Sequence, residues 1–153
     1  MTPMVSVIIV NLNRRDLLAR CLLSLWSQTY SDFEVIVVDN GSEDGSTALL
    51  RSLKEPRLRV VELPRNQGFA GGCNAGIAVA SGRCIATLNN DAAVDARWLE
   101  ELVLAMSRNA EIGMCASKSL FDDDHRRIAK VGHLIYLDGL NHGRGSGEPD
   151  RDQ

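Results

Sequence analysis

Three short apolar runs, each cut off by a polar or acidic residue, constrain this chain more than any other feature of it. Val5-Ser-Val-Ile-Ile-Val10 runs into Asn11, Phe33-Glu-Val-Ile-Val-Val38 into Asp39, and Cys84-Ile-Ala-Thr-Leu88 into Asn89, Asn90 and Asp91. Runs of this kind suit strands covered on both faces of a parallel sheet, and such sheets bind ligands beyond the carboxyl ends of their strands. Asp39 and Asp91 therefore fall where a ligand would sit. Asn-Asn-Asp taken alone serves equally well to close a strand and open a turn, so the rest of the chain has to decide between the two readings.

Between the strands the apolar residues change period. Leu17, Leu18, Cys21, Leu22 and Leu25 form one stripe of a helix over residues 14–27. Asp44 to Thr47 offers caps for a second helix, and residues 58–63 read as a third strand closed by Pro64. Asn66-Gln-Gly-Phe-Ala-Gly-Gly-Cys-Asn-Ala-Gly76 reads as a glycine-rich loop entering a helix that stops at Ser81-Gly82. Asp95 caps a helix with Trp98, Leu99, Leu102, Val103 and Met106 on its stripe, and residues 112–116 suit a fifth strand. Strands alternating with helices imply βαβ units, hence an α/β fold with a mostly parallel sheet.

Beyond Leu120 the pattern fades. Asp122-Asp-Asp-His-Arg-Arg127 reads as a solvated loop and residues 128–137 as a short strand pair whose edge offers a surface for self-association. One domain over residues 1–137, followed by a flexible tail over 138–153, is the expected organisation.

Composition excludes several classes. A formal net charge of -3 argues against general binding of nucleic acid, and no segment approaches the length of a transmembrane helix. Cys21, Cys73, Cys84 and Cys115 are far apart, lie mostly inside apolar patterns and read as buried reduced thiols. With no apparent signal peptide, a cytoplasmic protein is expected, including one peripheral to the inner face of the membrane. A dinucleotide fold needs G-x-G-x-x-G after the first strand, where Asn11-Leu-Asn-Arg-Arg15 stands, and a P-loop needs a lysine that residues 68–76 lack. A phosphoacceptor domain would cluster further acids after the first strand, where only Asn11 and Asn13 occur. Two strand-end acids among Asn-rich turns suit a hard divalent cation, which takes one or two carboxylates together with substrate phosphates. A nucleotide diphosphate ligand fits that pattern.

Five segments in consistent order carry a specific resemblance: Val5 to Asn13, Cys21-Leu-Leu-Ser-Leu-Trp-Ser-Gln-Thr-Tyr30, Phe33 to Ser42, Asn66 to Gly76, and Leu88-Asn-Asn-Asp91. Together they resemble the amino-terminal, nucleotide-sugar-binding half of a family 2 glycosyltransferase of the inverting GT-A class, closest to its rhamnosyltransferase-like branch. The resemblance implies a Rossmann-like three-layer α/β/α fold and a role in cell-wall or polysaccharide biosynthesis. It also implies a UDP-, dTDP- or GDP-sugar donor, Mg2+ or Mn2+ as cofactor, and a saccharide or lipid-linked acceptor. Carried over by position, Asp39 would contact the base, Asn11 and Asn13 would line its pocket, and Gly68 and Asn74 would approach the nucleotide. Asn89, Asn90 and Asp91 stand at the metal motif, with Asp91 the metal ligand beside Asn89 and Asn90 near the donor.

The chain departs from the family at three points. Asn89 replaces the first acid of the metal motif, which predicts weak metal binding without donor. Leu12 stands where an aromatic residue often lies near the base. The catalytic base is expected downstream of Gln153, so a non-catalytic nucleotide-binding or interaction module is the alternative reading.

Overall fold

The computed structural model describes residues 3–135 and 141–151, and of residues 133–135 and 141–142 the backbone alone. It comprises two compact units, Met1–Arg97 and Trp98–Gln153, where the sequence suggested one domain and a tail.

The first unit holds β1 (Val5–Asn11), α1 (Arg15–Trp26), β2 (Phe33–Asp39), α2 (Ser46–Ser52), β3 (Leu58–Glu62), α3 (Gly68–Ile77) and β4 (Cys84–Asn89). Its strands form one parallel sheet in the order β3-β2-β1-β4. The central pair is buried on both faces: Val7, Ile9, Val35 and Val37 on one side, Ile8, Ile36 and Val38 on the other. Ala75, Val79 and Ala80 pack against the second group, and α1 buries Leu18, Cys21, Leu22 and Leu25. This is the expected α/β arrangement of a mostly parallel sheet with helices.

Register fixes the row of polar strand ends. Asn11 pairs with Asp39, Asp39 with Glu62, and Val10 with Asn89. Parallel strands of matched register thus bring all the carboxyl-end side chains to one edge of the sheet.

Three expectations change. The glycine-rich stretch is itself the helix α3, not a loop leading into one. Its glycines let the helix lie against β1: a Cβ on Gly72 would come within 2.6 Å of Val10 Cγ1, and one on Gly76 within 2.6 Å of Ile8 Cγ2. Close approach outweighs the low helix propensity of glycine here. Strand β4 lies at the sheet's edge and alternates, with Ile85, Thr87 and Asn89 exposed, so it is not buried on both faces. Residues 112–116 form no strand; among the described residues they join no ladder, and Met114 is exposed.

The second unit holds α4 (Trp98–Ser107), β5 (Ser119–Leu120), β6 (Ile128–Lys130), β7 (His133–Ile135) and β8 (Asn141–Gly143). The two strands expected within 128–137 exist but do not pair with each other: β6 pairs with β5, and β7 with β8, both antiparallel. Residues 136 and 137 of that expected pair lie outside the described residues, as do 138–140 and 152–153 of the expected tail. The remainder of that tail is tied down. Gly147 N donates to Ile128 O at 2.8 Å, Asp150 N to Arg126 O at 2.7 Å, and Lys118 pairs with Asp150 at 2.6 Å. Glycine-rich composition conceals the first two of these bonds because they are made by backbone groups. Within the charged loop, Asp122 and Asp123 are exposed and Asp124 is half-buried.

At the opposite end of the sheet from the polar row, Ser6 Oγ donates to Glu34 Oε1 at 2.6 Å, and Ser81 donates to the same oxygen from N and Oγ, both at 2.8 Å. Burial raises the Glu34 carboxyl, but these hydrogen bonds outweigh it and hold the group below its ordinary value of 4.5. A depressed folded value stabilises the fold above the ordinary value and loses that contribution as pH falls through the folded one. Glu34→Gln should therefore lower Tm at pH 7, and the gap from the parent should close on acidification below 4.5, as followed by thermal melts across pH. Gly76→Ala should cost about 1–3 kcal/mol in urea unfolding, the range for overpacking a buried contact.

Candidate functional site

The site is built around Asn11, whose side chain is fully buried at the end of the central strand β1. A buried amide has to satisfy its donors and acceptor locally. Asn11 Oδ1 accepts from Asn90 Nδ2 at 2.8 Å, and Asn11 Nδ2 donates to Ser42 Oγ at 3.3 Å. Ser42 N in turn donates to Asp39 Oδ1 at 3.2 Å. One chain of hydrogen bonds thus runs from Asp39 to the turn that carries Asp91.

Asp39 is 3% exposed, and its second carboxylate oxygen accepts from Thr47 Oγ1 on α2. The two acids expected at strand ends are held differently: Asp39 is buried in the framework, whereas Asp91 is exposed in the turn that Ala92 N closes onto Asn89 O at 3.2 Å. Glu62, in register with Asp39, is engaged by Arg51 at 2.8 and 2.5 Å. That ion pair directs Glu62 toward α2, leaving Asp39 and Asp91 as the strand-end acids of the polar row.

Asn13 adopts φ +52°, a left-handed conformation that asparagine tolerates better than most residues. Its Oδ1 accepts from Glu43 N at 2.7 Å, and its backbone N donates to Ser42 Oγ at 3.0 Å. Asn13 therefore joins the loop after β1 to the loop after β2.

A cavity of about 300 Å³ opens beside this framework, with Leu12, Arg14, Asn40, Asn66, Phe69 and Asn90 among its walls and Gly68 at its edge. It lies at the lower end of ligand-pocket sizes and suits one moiety of a nucleotide sugar. Asn90 and Gly68 are brought to this cavity, and Asn11 sits behind Asn90. Asn13 lines a neighbouring cavity of about 320 Å³ with Arg14, Arg15 and Asp44. Asn74 is exposed on α3, away from both cavities, and Asp39 lines neither of them.

Asn40 and Asn66 escaped the sequence reading. Asn40 is 2% exposed and donates to Asn66 Oδ1 at 3.0 Å and Gly68 O at 3.1 Å, while accepting from Gln67 N at 2.9 Å. These bonds fasten the start of α3 to the end of β2. Both residues read individually as ordinary turn formers, and the signal that could have found them is the recurrence of Asn after each strand. Arg14, the cationic wall, and Phe69, 61% exposed, were also unflagged.

Among the described residues no group of three His, Cys, Asp or Glu side chains is placed to hold a metal. Asp91, with the amides of Asn89 and Asn90 adjacent, is the donor set available. One exposed carboxylate fits a cation completed by ligand phosphates and does not fit a preformed protein cage. Among the described residues no helix is long and apolar enough to cross a membrane.

Asn11→Ala should remove the acceptor of Asn90 Nδ2 and one of the donors to Ser42 Oγ, and cost about 1–3 kcal/mol of stability in denaturant unfolding. Asn11→Asp keeps the acceptor for Asn90 but puts an ionisable carboxyl at a fully buried position in register with Asp39, and should cost at least as much.

The sequence matches the family described as glycosyl transferase family 2 over residues 6–150. It is 37% identical over 101 residues to the succinoglycan biosynthesis protein ExoO of Rhizobium meliloti (strain 1021), covering 66% of this chain and 29% of that protein. It is 38% identical over 109 residues to the glycosyltransferase AglE of Haloferax volcanii, covering 69% of this chain and 36% of that protein. The chain thus spans about a third of the length of these relatives. In structure it resembles the mannosyltransferase PcManGT of Pyrobaculum calidifontis, solved in complex with GDP-Man and Mn2+, with a TM-score of 0.67 and 26% identity over 77% of this chain and 36% of that one. S. aureus TarS 1-349 shares the fold with a TM-score of 0.66 at 22% identity, over 78% of this chain and 40% of that one. A parallel sheet with its polar residues gathered at the strand ends, and a family match over nearly its whole length, lead to one assignment: the chain belongs to glycosyltransferase family 2.

Proposed function

We propose that this chain forms the donor-binding part of an inverting glycosyltransferase that transfers a sugar from a nucleotide diphosphate to an acceptor hydroxyl. The observation that carries this reading is the hydrogen-bonded row Asp39, Ser42, Asn11 and Asn90, which ties the loop after β2 to the turn bearing Asp91. The cavity beside that row has Arg14 in its wall, a permanent positive charge suited to a phosphate. UDP-, dTDP- and GDP-sugars are the candidate donors, and a saccharide or lipid-linked hydroxyl is the candidate acceptor. The rhamnosyltransferase-like branch remains the closest reading of the motifs.

Asp91, with Asn89 beside it, would hold Mg2+ or Mn2+ together with the donor phosphates, and the cation would supply charge stabilisation to the departing diphosphate. Inversion needs a general base on the acceptor hydroxyl. Asn74, exposed on α3, would reach the donor only as an outer contact. Asp39, Asn11 and Asn13 would shape the nucleoside side of the site through the loops they tie together.

Calorimetry with UDP, dTDP and GDP, each with and without manganese, tests the proposal. Asp91→Ala should remove the manganese dependence, and Asp39→Ala should weaken binding under both conditions. Each loss should be on the order of 10-fold, or about 1.4 kcal/mol. Absence of binding by all three nucleotides would contradict the proposal, and binding indifferent to manganese and to Asp91 would favour a non-catalytic module.

A further inference from the structure

The turn that carries Asp91 is held from beneath by α1, at points that the donor site itself does not explain. Asn89 O, which closes the turn by accepting from Ala92 N, also accepts from the buried Cys21 thiol at 3.5 Å. Three residues along α1, Ser24 Oγ accepts from Val94 N at 3.1 Å while donating to Cys21 O at 2.7 Å. Just past the end of the helix, Gln28 Nε2 donates to Asp95 O at 2.6 Å, and Thr29 N to Ala96 O at 2.8 Å. Cys21, Ser24 and Gln28 are spaced three and four apart, the spacing that puts side chains on one helix face. The segment 89–96 is therefore fastened on both sides of an exposed carboxylate.

We propose that Ser24 and Cys21, supported by Gln28, are positioning residues that fix the orientation of the Asp91 turn and so set the strength of its grip on a divalent cation bridged to a nucleoside diphosphate. The proposal rests on the donor-site reading above. Its physical basis is that Asp91 is the one carboxylate in the Asn89-Asn90-Asp91 turn, so affinity depends on how well that ligand is held. Residues behind a metal ligand commonly change metal affinity by roughly 10–100-fold when removed. The hydroxyl of Ser24 is suited to this role because it both accepts and donates, joining the segment after the turn to the helix backbone.

The test compares the full chain with Ser24→Ala, Cys21→Val and Ser24→Thr, using manganese titrated in the presence of UDP, GDP or dTDP, and the same nucleotides without metal. Ser24→Ala and Cys21→Val should weaken manganese binding roughly 10-fold, at the lower end for such outer partners, while metal-free nucleotide affinity stays at the parent value. Ser24→Thr should restore the manganese affinity, because it returns the hydroxyl. Amide hydrogen exchange should quicken at residues 90–96 in the first two variants and remain unchanged in β1 and β2. A general loss of folding would instead lower both affinities together, and that result overturns the proposal. If Asp91→Ala abolishes manganese binding while Ser24→Ala and Cys21→Val leave it intact, the positioning role alone falls. If the parent chain shows no manganese dependence, the donor-site reading falls and this role with it.

Discussion

The interaction on which the rest depends is the buried amide of Asn11. At the end of the central strand it cannot be hydrated, so its oxygen and nitrogen have to find partners in the loops that follow the neighbouring strands. Asn90 supplies one and Ser42 the other. The backbone adds a third tie, since Asn40 N donates to Asn11 O at 2.8 Å. Parallel register brings Asn11 level with Asp39, and the amide then extends that alignment sideways to the turn after β4. A hydrophobic residue at this position would pack, but it would leave two polar loops without a common anchor.

Other parts of the first unit preserve this arrangement. The glycines of α3 let the helix sit against Val10 and Ile8, which brings its start to Asn40 and Asn66 at the end of β2. Helix α1 holds the segment beyond β4 through Ser24 and Gln28. At the far end of the strands, Ser6 and Ser81 converge on Glu34, fixing β1, β2 and the connection into β4 against one another. The sheet therefore resists sliding at both ends, and a polar row made by register stays in place.

Much of this was legible in the sequence because strand and helix periods leave strong marks. The apolar runs ending at Asn11, Asp39 and Asn89 located three of the four parallel strands and both acids of the polar row. Failures arose where a tertiary contact overrode a local preference. Glycines of α3 read as a loop because their value lies in close packing on β1, which no local pattern records. The apolar run of β4 gave no sign of its edge position, since an edge strand and a central one can share the same residues. Asn40 and Asn66 looked like turn formers, and their shared role emerges only once two distant loops meet. Asn74, which its motif places near the donor, is exposed on α3. Residues 144–150 looked unstructured because most of the bonds that hold them are made by backbone groups.

The central claim is that a divalent cation is held at the Asp91 turn only with a nucleoside diphosphate, and within reach of the framework that Asn11 joins. Paramagnetic broadening by manganese in the isotope-labelled chain tests it most directly. With UDP, GDP or dTDP present, the amides of residues 89–92 should broaden first, followed by those near Gly68, and without nucleotide the effect should be weak. Broadening centred on the acidic loop at Asp122 to Asp124, or equally strong at residues 89–92 without nucleotide, would contradict it.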